Sequence, residues 1–142
     1  MSKKIFLSSD HGGFDLKERV KIFLKDNNDD FEDLGCYSLD AVDYPDYAKI
    51  LAEKLKINRQ YRGILFCGTG IGVSMAANRF LHIRAALCTS VEMASKSRKH
   101  NDANVLALGG RIIGNELAID IVKEFFNTEF DKGRHILRVN KI

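Results

Sequence analysis

The chain has no tryptophan, a single proline, three cysteines and no apolar run approaching the length of a membrane span. Each scarcity excludes something. A spanning helix needs about 20 consecutive apolar residues, so a membrane protein is not expected. Cys36, Cys67 and Cys88 are odd in number and none sits in a CxxC pair. That pattern supports neither a disulfide framework nor a cysteine zinc cluster, and a reducing cytoplasm is expected. No two of the four histidines stand at the helical spacing of a metal-binding pair. The net charge of +3, from 22 basic and 19 acidic residues, is small and scattered, so nucleic acid is not an expected partner. The opening MSKKIFLSSD has two lysines but too short an apolar stretch for a secretory leader.

What is present fits one globular domain spanning residues 1–142, with 45% hydrophobic and 29% charged residues. Short apolar runs at Ile5–Leu7, Phe31–Leu34, Ile64–Phe66, Ala85–Cys88 and Val105–Leu108 read as strands. Between them stand helical patterns. The first carries Leu16, Val20, Phe23 and Leu24 on one face. The second opens at Tyr44-Pro45 and carries Tyr47, Leu51 and Leu55. Thr89 with Glu92 fits a capping box for the helix toward His100. The last long helix, Asn115 to Asn127, is expected to bury Leu117, Ile121, Val122 and Phe125. Strands alternating with helices predict an α/β fold with a five-stranded parallel sheet and helices on both faces.

The chain is organised around Arg62–Phe80, RGILFCGTGIGVSMAANRF. A strand ends at Cys67, and Gly68, Thr69, Gly70, Ile71 and Gly72 form a tight loop. A helix is expected from Val73 to Phe80, with Met75 available for packing. Amide groups around such a loop can hold an anion, and the helix start favours a thiolate over a thiol. The dinucleotide fingerprint fails because Val73 stands where the third glycine belongs. A Walker loop fails for want of Gly-Lys-Ser/Thr. A cysteine phosphatase loop would want arginine at position 73.

Ligands of such sheets bind beyond the carboxyl ends of the strands. Asp10-His11, Cys67-Gly68-Thr69 and Arg111 all follow strands, whereas His100-Asn101 precedes the fifth. Bland readings stand beside these. Cys67 also fits a small buried hydrophobe, and Cys36 and Cys88 read as structural. His11 could cap the first helix. His82 reads as a surface residue, and Ser97–Asp102 as a solvated helix end. Arg134 and Arg138 would share a helical face and could grip a phosphate, or form a basic surface tail.

The segments SSDHGG, DYPDYA, GILFCGTGIGVSMAANR, IRAALC, SRKHNDANVLALGGR and GRHILRV resemble the type B ribose-5-phosphate isomerases. These are grouped with the lactose-pathway galactose-6-phosphate isomerases. The resemblance runs in order from Ile5 to Val139. It implies a Rossmann-like three-layer α/β/α sandwich and a homodimer, or a dimer of dimers. The active sites would lie at the subunit interface, and the tail, about 128–142, would contribute to the dimer and the phosphate site. It also implies interconversion of ribose 5-phosphate and ribulose 5-phosphate with no cofactor and no metal.

By the same resemblance Cys67 is the base, where a mycobacterial branch uses a glutamate elsewhere. His100 opens the sugar ring, and Thr69 acts beside the moving proton. Asp10, Tyr44 and Asn101 hold the sugar, and His11, Arg111, Arg134 and Arg138 hold the phosphate. The amides of Gly68, Gly70, Ile71 and Gly72 face the developing oxyanion. CGTG, His100-Asn101-Asp102 and Gly133-Arg134-His135 occur together here, which favours a self-sufficient ribose-5-phosphate enzyme over a galactose-6-phosphate isomerase subunit. His82 departs from the glycine common at that place. An isomerase of allose 6-phosphate or galactose 6-phosphate, or a non-catalytic sugar-phosphate sensor, are the alternatives.

Overall fold

The computed structural model describes residues 4–142; residues 1–3, part of the opening segment read above for a leader, lie outside them. The strands are β1 (Ile5–Ser9), β2 (Phe31–Asp33), β3 (Arg62–Cys67), β4 (Ala85–Leu87) and β5 (Val105–Gly109). All pair in parallel, in the order β2-β1-β3-β5-β4. The three central strands are almost wholly buried and the two edge strands half-buried. That is why the central sequences are nearly continuous apolar runs.

The helices are α1 (Phe14–Asp26), α2 (Tyr44–Leu55), α3 (Ile71–Ala77), α4 (Val91–Lys99), α5 (Asn115–Asn127) and α6 (His135–Val139). Parallel crossovers are right-handed, so the direction of each step across the sheet selects a face. Steps from β1 to β2 and from β4 to β5 run one way; steps from β2 to β3 and β3 to β4 run the other. Accordingly α1, α4 and α5 cover one face, with Leu7, Phe66, Leu106 and Leu108 beneath them. The second face carries α2 and α3 over Phe6, Leu65, Cys67 and Ala107. The result is the expected three-layer α/β/α sandwich.

Local differences from the sequence reading have simple causes. Helix α3 starts two residues before Val73 and ends at Ala77, because Gly70 turns the chain at φ 80°. Val73 and Ala77 are buried, whereas Met75 points to solvent. The cap of α4 is Ser90, whose Oγ accepts from the Met93 amide at 3.2 Å, not Thr89. In α5, Leu117 is 37% exposed, and Ala118 and Ile119 take the inward positions. His82 is half-buried with Nε2 2.6 Å from the Ala52 carbonyl oxygen, not a surface residue.

Two buried cations brace the frame. Lys17 is fully buried and donates at 2.6 Å to both Asp33 Oδ1 and the Cys36 carbonyl. Lys21 reaches Asp33 Oδ2 at 2.7 Å. Burial works to raise the Asp33 carboxyl, but the two lysines outweigh it and hold the group below its ordinary value. Arg98, expected on a solvated helix end, is 2% exposed. It donates to Thr128 O at 3.2 Å, Asp102 Oδ1 at 3.0 Å and the Ala103 carbonyl. Removing one partner from such a buried pair costs about 3–5 kcal/mol.

Candidate active site

Cys67 ends β3, 5% exposed, between β1 and β5. The chain leaves β3 toward the α2–α3 layer, whereas it leaves β1 and β5 toward the opposite layer. Divergence of neighbouring connections opens a crevice at this point. Gly70, at φ 80°, folds the loop back so that its amide donates to Cys67 Sγ at 3.1 Å. The Ile71 amide donates to Thr69 Oγ1 at 3.1 Å. Both amides, expected to face a ligand anion, are engaged within the loop. The Thr69 hydroxyl thereby accepts and keeps its own hydrogen to donate.

Three loops close around the thiol. The Asp10 amide bonds Phe66 O at 3.2 Å, and Asp10 Oδ1 caps the turn by accepting from the Gly13 amide at 3.1 Å. Capping therefore falls to Asp10, and His11 is freed for another contact: its Nδ1 accepts from the Val42 amide at 3.2 Å. This makes Nε2 the ring's donor. The Gly110 amide bonds Cys67 O and the Arg111 amide bonds Gly68 O, each at 2.9 Å. A Cβ on Gly12 would stand 3.0 Å from the Gly68 nitrogen, so the glycine lets the two loops approach closely there. Arg111 Nη1 lies 3.4 Å from the position a Cβ on Gly68 would take, and the Tyr44 ring packs against Gly72. Asp10, His11, Tyr44, Cys67, residues 68–72 and Arg111 thus share one crevice.

His100, Asn101, Arg134 and Arg138 form a second group at the other end of the sheet. Helix α4 runs back against the strands, so His100 stands near the start of β5. Val105 pairs with Gly63 and Gly109 with Cys67, a separation of about 13 Å along the strands. The Asp131 amide bonds Lys99 O at 3.1 Å and brings the tail onto this loop. His135 stacks on His100, with ring centroids 4.4 Å apart and planes 15° from parallel. His100, Asp131 and His135 each place one donor atom within 4.8 Å of the others. Arg134 and Arg138, at the cap and in the body of α6, are exposed. Asn101 lines a shallow cleft along β4 with Lys96.

His135 and Asp131 were missed by helical spacing, because residues from two distant segments build the cluster. The only sequence signal was the GRHILRV segment. Burial pushes the Cys88 thiol up to about 11, which keeps it protonated and inert. Cys67 alone ends a central strand at the crevice.

Residues 5–142 match the family model described as ribose/galactose isomerase. The chain belongs to that family. Within it, ribose-5-phosphate isomerase B of Escherichia coli is 43% identical over 140 residues, covering 99% of this chain and 94% of that protein. A ribose 5-phosphate isomerase from Thermotoga maritima superposes with a TM-score of 0.96 at 51% identity, covering 99% and 97% of the two chains. The ribose-5-phosphate isomerase B of Mycoplasma genitalium, solved with bound ribulose-5-phosphate, superposes at 0.95 with 43% identity, covering 99% and 94%. No helix among the described residues is long and apolar enough to cross a membrane.

Proposed function

We propose that this member of the ribose/galactose isomerase family interconverts ribose 5-phosphate and ribulose 5-phosphate, with Cys67 as the base, in the non-oxidative branch of the pentose phosphate pathway in the cytoplasm. The observation that carries the reading is Cys67 Sγ, hydrogen-bonded by the Gly70 amide at 3.1 Å inside the crevice that Asp10, His11, Tyr44 and Arg111 also line.

The chemistry follows from that placement. His100 first carries the proton of the anomeric hydroxyl to the ring oxygen and opens the sugar. The Cys67 thiolate takes the proton from C2, and its electron pair becomes the C1–C2 double bond while negative charge gathers on O1. The Gly68 amide and the Thr69 hydroxyl face that charge; one such donor is worth roughly 3 kcal/mol in the transition state. The thiol returns its proton to C1, the O2 proton passes to O1, and the ketose leaves with Cys67 a thiolate again. Asp10, Tyr44 and Asn101 hold hydroxyls. His11 Nε2–H, Arg111, Arg134 and Arg138 hold the phosphate, the arginines by two-pronged bonds.

His100 and the tail arginines stand a strand's length from the thiol of their own chain. The reading therefore requires a homodimer in which one chain's tail, residues 128–142, completes its partner's crevice. The test is an assay of the purified chain on ribose 5-phosphate, allose 6-phosphate and galactose 6-phosphate, repeated with Cys67→Ala. Turnover of the five-carbon sugar, lost by about 10³-fold in the variant, is expected. Preference for a six-carbon sugar would move the substrate, unchanged turnover in Cys67→Ala would remove the base, and binding without turnover would leave a sensor.

A further inference from the structure

A second cleft, of about 730 Å³, opens between the carboxyl ends of α2 and α3, at the opposite end of the strands from Cys67. Lys56, Arg59, Arg79 and Arg84 line it, with Tyr61 and His82, and no carboxylate does. Cations at helix carboxyl ends commonly offset the helix dipole, but two such ends supply only about half a negative charge each. Asp102 pairs with Arg84 at 3.3 Å but divides its carboxylate with Arg98. Among the described residues, Lys56, Arg59 and Arg79 have no ion-pair partner, and all three are exposed. Beside them Arg62 spends Nη1 on the Arg59 and Tyr61 carbonyls, and its buried Nε has no partner. Burial first, then the like charges of Arg98 and Arg84, push the Arg62 guanidinium down against the opposing pull of Asp102 and Glu129. Positive charge is therefore crowded into a cleft where, among the described residues, Asp102 pairs with Arg84 and no carboxylate pairs with Lys56, Arg59 or Arg79.

We propose that this cleft binds a small molecule carrying two or more phosphoryl groups. One phosphate would meet one or two of the cations; a chain of phosphates engages Lys56, Arg59 and Arg79 together, with forked bonds from the arginines. Tyr61 and His82 form the wall against which a nucleoside would rest, so nucleoside polyphosphate and inorganic polyphosphate are the two sources of this chemistry. His82, which the isomerase reading leaves without a task, is held there by its bond to Ala52.

Calorimetry on the full chain at low salt tests the site, with tripolyphosphate, ATP and a short oligouridylate as probes. Tripolyphosphate or ATP is expected to bind one per chain. Arg59→Gln with Arg79→Gln weakens binding by about tenfold per guanidinium and leaves isomerase turnover unchanged. Arg134→Gln with Arg138→Gln leaves polyphosphate binding as it was. Tighter binding of ATP identifies the nucleoside source, and equal binding the phosphate chain. No binding, or equal binding by the cleft variant, overturns the proposal. So does loss in the tail variant, which assigns the anion to the sugar-phosphate crevice, or a tighter fit to oligouridylate. All three cleft positions are exposed, and an unchanged melting temperature confirms that the variant is folded.

Discussion

The imidazoles of His100 and His135 lie face to face, 4.4 Å between centroids, and join the end of α4 to a tail that starts about 30 residues later. His135 is buried here and has Arg134, Arg138, His100 and Asp131 around it. Burial, then the charges of Arg134, His100 and Arg138, hold its ring below the ordinary value of 6.5, against the opposing pull of Asp131.

That shift has a sign. A base with a depressed value in the folded state binds protons more readily when unfolded. Its penalty is absent above pH 6.5 and grows as pH falls from there toward the depressed value. Urea denaturation between pH 8 and 5 is therefore expected to show stability declining below pH 6.5, and His135→Asn to flatten that part of the curve. An identical slope in both proteins would detach the pH response from this ring.

Ring opening and proton transfer separate by isotope exchange. His100→Asn is expected to lower conversion of ribose 5-phosphate by about 10²-fold. Exchange of the C1 proton of ribulose 5-phosphate with D₂O would continue, since the open ketose needs no ring chemistry. Equal loss of both would remove the ring-opening role.

Subunit sharing is tested by mixing. Cys67→Ala and Arg138→Ala chains are each expected to be inactive, and their mixed dimers to regain activity at one of the two crevices. Verified mixed dimers without recovery would mean that both groups serve the same crevice from one chain.

Backbone fit around the thiol is tested at Gly109. A methyl group there would come within 2.5 Å of the Thr69 carbonyl oxygen, backbone that cannot rotate aside. Gly109→Ala is expected to cost about 1–3 kcal/mol of stability and most of the activity, by displacing the loop that carries the Gly70–Cys67 bond. Chemical denaturation and turnover, measured on the same preparation, check both.

Much of the fold was legible because burial imposes period. Central strands need apolar runs, and Leu16, Val20, Leu24 or Leu51, Leu55 mark helices that cover them. Boundaries were less legible where a single side chain decides, as when Ser90 rather than Thr89 caps α4. Arg98 reads as a solvated charge, because a lone cation gives no sign of a buried partner elsewhere in the chain.

By itself the sequence determined the strand–helix alternation, the glycine loop after Cys67 and the chemical types arrayed near it. Those properties are local: they follow from periodicity, from the conformations glycine permits and from which residues follow a strand. Only the tertiary structure decided which groups meet. Strand order brings Asp10, Cys67 and Arg111 to one rim, and the antiparallel return of α4 carries His100 to the other. Four cations separated by up to 28 positions converge on a single cleft. Distance along the chain carries no information about such meetings, because they are set by crossover handedness and by the packing of whole layers.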